Sequence, residues 1–256
     1  MRARPPGKVY LVGAGPGAPD LITLRGADAL RRADIVFHDA LVHPGTLALA
    51  ARAEKVAVGK RCGKHATAQR FINKRLVDAA RTHHVVVRLK GGDPLLFGRA
   101  QEEIAALQAA GINYEIVPGV TAALAAGAEL GISLTQRGAA RSVAFVTPRV
   151  GVGQPKNDWV RSVAAADTAV IYMGAGDAAE IAAALIAHGV SRDTPAAIVE
   201  NASLPEVRRI LLTLEKLPQL EHYGFTGPTL IMLGRVLSPA LAATEETAGL
   251  MACRTA

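Results

Sequence analysis

Val-Val-Val-Arg-Leu-Lys-Gly-Gly-Asp-Pro-Leu-Leu-Phe-Gly-Arg-Ala-Gln-Glu, residues 85 to 102, decides how the rest of the chain is read. Val85 to Leu89 is a short, largely β-branched run of the kind that forms a buried strand. Gly91, Gly92, Asp93 and Pro94 stop it, and Ala100 to Ala110 has the composition of a helix. In an open α/β sheet, ligands bind beyond the carboxyl ends of the strands, which is where this loop falls. Paired glycines let backbone approach a ligand, and Asp93 adds an acceptor for a donor-rich or cationic group. Turn chemistry alone would also account for Gly-Gly-Asp-Pro.

The same alternation extends in both directions. Upstream, Val9 to Val12 reads as a strand ending in Gly13-Ala14-Gly15-Pro16-Gly17, with Thr23 as cap of a helix through about Arg32. The spacing G-x-G-x-G, with Pro16 inside it, fails the dinucleotide fingerprint. Asp34 to Phe37 and Lys55 to Val58 are further strands. The first ends in His38-Asp39-Ala40-Leu41-Val42, the second in Gly59-Lys60-Arg61-Cys62-Gly63-Lys64-His65. That last cationic cluster is either a solvated loop or part of an anion site. Ala68 to Thr82 is an amphipathic helix with Phe71, Ile72, Leu76 and Ala79 near one face. Tyr114 to Val117 is a fifth strand, followed by Pro118-Gly119-Val120-Thr121 and a helix from Ala122 to Leu130.

Near Gly131 to Gly138 the pattern restarts. This places an N-terminal α/β domain at residues 1–137, a C-terminal α/β domain at 138–240 and a tail at 241–256. Strands are expected at Ser142 to Thr147, Thr168 to Met173, Ala196 to Glu200 and Thr229 to Leu233, and a helix at Asp177 to His188. Arg208 to Leu217 fits strand or helix. Gly151 to Asp158 reads as a loop, the tail after Ser238 shows no period, and no sequence repeat is evident.

At 256 residues, half of them hydrophobic, the chain has ample core and is not disordered. Its 29 Lys and Arg against 22 Asp and Glu leave a formal +7, which suits a polyanionic partner. The cations are scattered and aromatics are few, which favours a small multiply charged anion over nucleic acid. Cys62 and Cys253 make neither a disulfide framework nor a metal site. With no adequate apolar signal segment and no run of about 20 apolar residues, neither export nor membrane insertion is expected, and the cytoplasm is the expected location.

Arg-Leu-Lys-Gly-Gly-Asp-Pro-Leu-Leu-Phe-Gly-Arg closely resembles the signature of the uroporphyrinogen-III C-methyltransferases, within the tetrapyrrole methylase family. Val-Gly-Ala-Gly-Pro-Gly, His-Asp-Ala-Leu-Val, Val-Gly-Lys-Arg, Val-Pro-Gly-Val-Thr, Tyr-Met-Gly and Val-Glu-Asn occur in that family's order, covering about Val9 to Val236. The resemblance implies two α/β domains with a ligand cleft between them, a homodimer, and transfer of methyl groups from S-adenosylmethionine. The implied reaction is double methylation of uroporphyrinogen III to precorrin-2, feeding sirohaem or cobalamin synthesis. A methylase of another precorrin and an RNA-methylating protein are the alternatives. Implied cofactor contacts are Pro16, Gly91, Gly92, Asp93, Leu96, Thr121, Ala122, Met173 and Ala202, the last where relatives commonly have Gly. Asp39 and Lys60 match the proposed proton acceptor and donor. Outside the resemblance, Met173 reads as core filler. His38, Ala40, Gln136 and Pro148-Arg149 depart from the family's usual Tyr, Arg, His and Gly-His. No oxidase or chelatase domain is expected on this chain.

Methyl transfer from a sulfonium to a pyrrole carbon leaves the ring cationic, so a fixed carboxylate would stabilise it and a base must then take a proton. Asp39, at a strand end, is the best candidate for either role, with His38 and His65 as alternative bases. The family's substrate carries eight carboxylates, and Lys60, Arg61, Arg88, Lys90, Arg99, Arg137 and Arg141 are the cations available near loops to meet them, with no one of them singled out as a contact. Arg88 and Arg99 have a second reading, as buttresses of the central loop against Glu102 or Glu103. Cys62 is expected to be a bystander.

Overall fold

A computed structural model describes residues 5–58, 65–151, 153 and 157–243. The chain divides into two compact units, Met1–Ala122 and Ala123–Ala256. The division falls ahead of the junction expected at 137/138, so the alanine-rich helix following residue 121 goes with the second unit.

In the first unit, β1 (Lys8–Gly13), β2 (Ile35–His38), β3 (Glu54–Ala57), β4 (Val85–Lys90) and β5 (Tyr114–Val117) form one sheet in the order β3-β2-β4-β1-β5. Every pairing is parallel. The crossovers run through α1 (Leu24–Arg32), α2 (Pro44–Ala48), α3 (His65–Thr82) and α4 (Ala100–Ala109). Thr23 caps α1 as expected, its side chain accepting from the Gly26 amide at 3.2 Å. A parallel sheet is covered on both faces, and here Val12, Leu30, Val36, Val87 and Leu89 fill one side. Val9, Phe37, Leu76, Val86 and Leu107 fill the other. On α3, Ile72, Leu76 and Ala79 are buried as the periodicity requires, but Phe71 is exposed and carries the Arg75 guanidinium over its ring at 5.6 Å.

The second unit begins with α5 and holds a mixed sheet, β6-β7-β10-β8-β9, made of β6 (Val143–Val146), β7 (Thr168–Tyr172), β8 (Pro195–Glu200), β9 (Arg208–Thr213) and β10 (Thr229–Gly234). Helix α5 (Ala122–Leu130) precedes it, and α6 (Trp159–Ala165) and α7 (Ala178–Ala187) follow β6 and β7. Ile171, Ile181, Leu185, Ile198, Leu214, Leu217 and Ile231 form its core. The ambiguous Arg208 to Leu217 segment is both things in turn: strand to Thr213, then a 3-10 helix from Leu214 to Tyr223. Helices α2 and α6, of five and seven residues, were not expected, because neither is long enough to show a period. Residues 238–243 are helical as well, against the expectation of a patternless tail.

The two units share an anchoring device that no sequence repeat announces. Asp34, just before β2, accepts from the amides of His84 and Val85 at 2.8 and 2.9 Å, where β4 begins. Asp167, just before β7, accepts from the amides of Arg141 and Ser142 at 2.9 and 3.0 Å, where β6 begins. In each case these backbone bonds hold the carboxyl below its ordinary pKa, and for Asp167 the Ser142 hydroxyl adds to the effect.

Candidate active site

In the first unit the loops after β1, β4 and β5 are locked together by bare backbone. Gly15 and Gly92 exchange hydrogen bonds, at 3.3 Å from the Gly15 amide and 2.7 Å from the Gly92 amide. A Cβ on Gly13 would stand 2.6 Å from the Gly119 Cα, and one on Gly119 only 2.3 Å from the Gly92 carbonyl oxygen. Three motifs far apart in sequence therefore need glycine at these points because their main chains touch. Gly92 differs: its φ is +65°, and beyond the position of a Cβ there is open space. Close ligand approach thus fits Gly92, while Gly13 and Gly119 are explained by packing.

Asp93 spends its carboxylate on the same lock. Oδ1 accepts from the Leu95 amide at 2.8 Å and Oδ2 from the Gly119 amide at 2.9 Å, tying the loop after β4 to the loop after β5. Each oxygen keeps a second lone pair. Pro16, Gly91, Leu96 and Thr121 are half-buried on these loops, and Ala122, the first residue of the helix that follows, is half-buried as well. Thr23 joins the arrangement through a long bond from its hydroxyl to the Pro118 carbonyl, 3.5 Å. Phe97 and Arg99 both have φ of +54°, a conformation that β-carbons resist and that concentrates at ligand-binding loops.

Beneath this loop lies an ion network. In β4, Val86, Arg88 and Lys90 share the sheet face that packs on α3 and α4, so two cations point where apolar side chains would ordinarily go. Arg88 is 3% exposed and Lys90 2%. Glu103, in the first turn of α4 and fully buried, meets both: Arg88 Nε donates to its Oε1 at 2.9 Å, and Lys90 Nζ to its Oε2 at 3.1 Å. Gln69 Nε2 of α3 adds a third donor at 3.3 Å. Arg88 Nη2 reaches across to Asp39 Oδ1. Burial works against the Arg88 charge, but Asp39 and Glu103 outweigh it and its pKa is raised. Lys90 goes the other way, lowered by burial and by the neighbouring Arg88 charge, with Glu103 opposing.

This placement revises the expected roles of several cations. Arg88 and Lys90 are spoken for inside the protein and do not reach out for substrate carboxylates. Arg88 takes the buttress reading, buried and paired with Glu103, while Arg99 pairs with Glu102 at 2.7 Å on the surface. Arg137 and Arg141 are exposed. Lys60, Arg61 and Cys62 lie outside the described residues. Asp39 sits directly after β2 with its side chain 31% exposed. Its amide donates to the Leu89 carbonyl at 3.2 Å, and its own carbonyl meets His38 Nδ1 at 3.1 Å.

In the second unit the two expected contacts come to one end of the sheet. Leu230 of β10 pairs with Tyr172 on one side and Val199 on the other, which brings Met173 and the residues after Glu200 to the same edge. Met173 has φ of +57° and is 43% exposed, a poor fit to core filler. The Tyr172 hydroxyl accepts from the Ala123 amide at 3.1 Å, holding the start of α5 beside that edge. Ala202 is buried between Asn201 and Ser203, both at positive φ. The Ser203 amide donates to Glu129 Oε1 at 3.2 Å and the Asn201 amide to the Pro228 carbonyl at 3.0 Å.

Gln69, the neutral donor of the network, escaped sequence reasoning, and Glu103 stood there only as one of two acidic partners for Arg88, not as the buried anion that also holds Lys90. The signal was there in part. Arg88 and Lys90 stand two apart in the central strand of a parallel sheet, so an acidic partner from a covering helix was required.

Parallel strands with glycine-rich loops gathered at their carboxyl ends, and a second sheet with positive-φ residues at one end, define an α/β protein of the kind that binds ligands at its strand ends. Residues 8–218 match the model of the Tetrapyrrole (Corrin/Porphyrin) Methylases, and the chain belongs to that family. Siroheme synthase 1 of Klebsiella pneumoniae subsp. pneumoniae is 46% identical over 237 residues, which is 91% of this chain and 50% of that protein. The chain spans about half the length of the curated relatives it matches. A uroporphyrin III C-methyl transferase from Thermus thermophilus, in its native form, is 42% identical with a TM-score of 0.80, covering 91% of this chain and 99% of that one. A structure from the same organism complexed with S-adenyl homocysteine gives 41% and 0.79 over the same shares.

Proposed function

We propose that this chain methylates uroporphyrinogen III at two carbons, using S-adenosylmethionine, to give precorrin-2 for sirohaem or cobalamin synthesis. The observation that carries the reading is the 42% identity running through 99% of the Thermus thermophilus enzyme. The loops fit the cofactor: open space lies beyond Gly92, and Met173 offers a half-exposed apolar side chain. Pro16, Gly91, Gly92, Asp93, Leu96, Thr121, Ala122, Met173 and Ala202 would hold it. When bound, it supplies an electrophilic methyl on a sulfonium.

Asp39 is the residue we assign to the ring. Its carboxylate is fixed at a strand end by a guanidinium, so it faces a developing cation without reorganising. It can also take the proton that the methylated macrocycle must lose. Lys60 is the assigned proton donor. The protein would act in the cytoplasm as a homodimer; among the described residues no helix is long and apolar enough to cross a membrane. The test is incubation of the protein with methyl-labelled S-adenosylmethionine and either uroporphyrinogen III or bulk RNA. Label in the tetrapyrrole is expected, and label in RNA alone would overturn the reading.

A further inference from the structure

We propose that Arg88 is a positioning residue for methyl transfer, holding the Asp39 carboxylate in the one orientation that serves the ring. The proposal rests on the reading of Asp39 given above and names what fixes that side chain. Each nitrogen of the Arg88 guanidinium has a separate partner. Nε donates to Glu103 Oε1 at 2.9 Å, Nη1 to the Leu89 carbonyl at 3.1 Å, and Nη2 to Asp39 Oδ1. A planar fork held at two corners cannot rotate, so the third corner fixes where Oδ1 lies.

The same strand that carries Arg88 also fixes the Asp39 main chain, through the bond from its amide to the Leu89 carbonyl. Backbone and side chain of Asp39 are thus both referenced to β4. Oδ2 accepts no hydrogen bond among the described residues, which leaves it on the one-third-exposed side chain as the oxygen available to a ligand. Lysine could not replace the fork. Lys90, on the same strand face, reaches Glu103 and nothing else in the network. Glu103 is the anchor behind the device: it is fully buried, and the positive end of α4 favours a carboxylate in its first turn.

A network that merely closes the loop after β4 would show the same contacts, so the test has to separate the two roles. Single-turnover methyl transfer to uroporphyrinogen III at saturating substrate is compared for wild type, Arg88→Lys, Asp39→Asn and the double variant, with S-adenosylhomocysteine affinity measured by calorimetry. Arg88→Lys keeps the buried charge and loses the fork, and is expected to slow transfer about 10²-fold, the scale of a misplacement near 1 Å. In the Asp39→Asn background the same change should slow it by less than about twofold, because non-additivity marks residues acting through one another. Cofactor affinity should stay within about twofold throughout. Equal slowing in both backgrounds, or loss of cofactor binding along with rate, would make Arg88 a structural residue and overturn the proposal while leaving Asp39 in its role. A wild-type rate for Asp39→Asn would overturn the Asp39 reading and the proposal with it. Should Arg88→Lys fail to fold, Arg88→Gln removes one buried charge and leaves Glu103 paired with Lys90, and the same slowing and the same non-additivity are expected of it.

Discussion

Glu102 and Glu103 are neighbours in sequence, and replacing each by glutamine should have effects of different order. Glu103 is fully buried and faces Arg88 at 2.9 Å, Lys90 at 3.1 and 3.2 Å, and Gln69 at 3.3 Å. Glu103→Gln keeps the shape but leaves two buried cations against a neutral amide whose own N–H groups compete with theirs. Breaking a buried pair in this way costs about 3–5 kcal/mol. In a unit of this size that lowers the melting temperature by about 10–20 °C. Glu102 and Arg99 form a surface pair, half exposed at both ends, and Glu102→Gln should cost less than about 1 kcal/mol. Lys90 gives the Glu103 variant a distinctive pH dependence. Its folded pKa lies below its unfolded one, so the unfolded chain binds that proton more tightly and stability rises with pH between the two values. Removing Glu103 takes away a partner that favoured the charged form, lowering the folded pKa further and widening the window. Differential scanning calorimetry across pH should therefore show Glu103→Gln recovering part of its loss as pH rises, and wild type less so. A loss below about 1 kcal/mol, with the wild-type pH slope, would refute the buried network.

Gly119→Ala puts a Cβ 2.3 Å from the Gly92 carbonyl oxygen, so the two loops must part; S-adenosylhomocysteine affinity should fall at least tenfold by calorimetry in a folded protein, about 1.4 kcal/mol. Gly92→Ala meets no atom and suffers only its positive φ, so it should cost about 1 kcal/mol of stability, read by thermal melting. Asp34→Ala removes the acceptor for two amides at the start of β4 and should cost about 1–2 kcal/mol, the low end for a charged hydrogen bond because the group is exposed. The Asp34 pKa is depressed in the folded state, so its contribution is fully present above the unfolded value and is lost as pH falls through the folded one. Acid titration of wild type and Asp34→Ala should accordingly show their stabilities converging at the acid end.

How far the sequence could be read follows from which contacts are local. Val85 to Leu89 is apolar enough to declare a buried strand, and Thr23 three residues before Gly26 is a cap that local geometry fixes. The loop glycines were visible as a group, but what each one does was not. Gly13 and Gly119 meet more than a hundred residues apart in sequence, and only the assembled sheet shows that backbone rather than ligand excludes their side chains. Arg88 and Lys90 looked like two more cations for an anionic substrate because a strand's two faces cannot be ranked before its covering helices are placed. The choice between Glu102 and Glu103 turned on a 100° rotation about α4, which a helix of low amphipathicity does not advertise. Met173 is the reverse case: as a residue type it suggests core, and its exposure and positive φ set it apart only in the folded chain.

Mass analysis of the product formed from uroporphyrinogen III with excess S-adenosylmethionine tests the proposed reaction most directly. The expected product carries two added methyl groups on carbon, with a singly methylated intermediate at early times and two equivalents of S-adenosylhomocysteine released. Unchanged uroporphyrinogen III, from protein that binds S-adenosylhomocysteine and methylates a later corrin precursor instead, would contradict it.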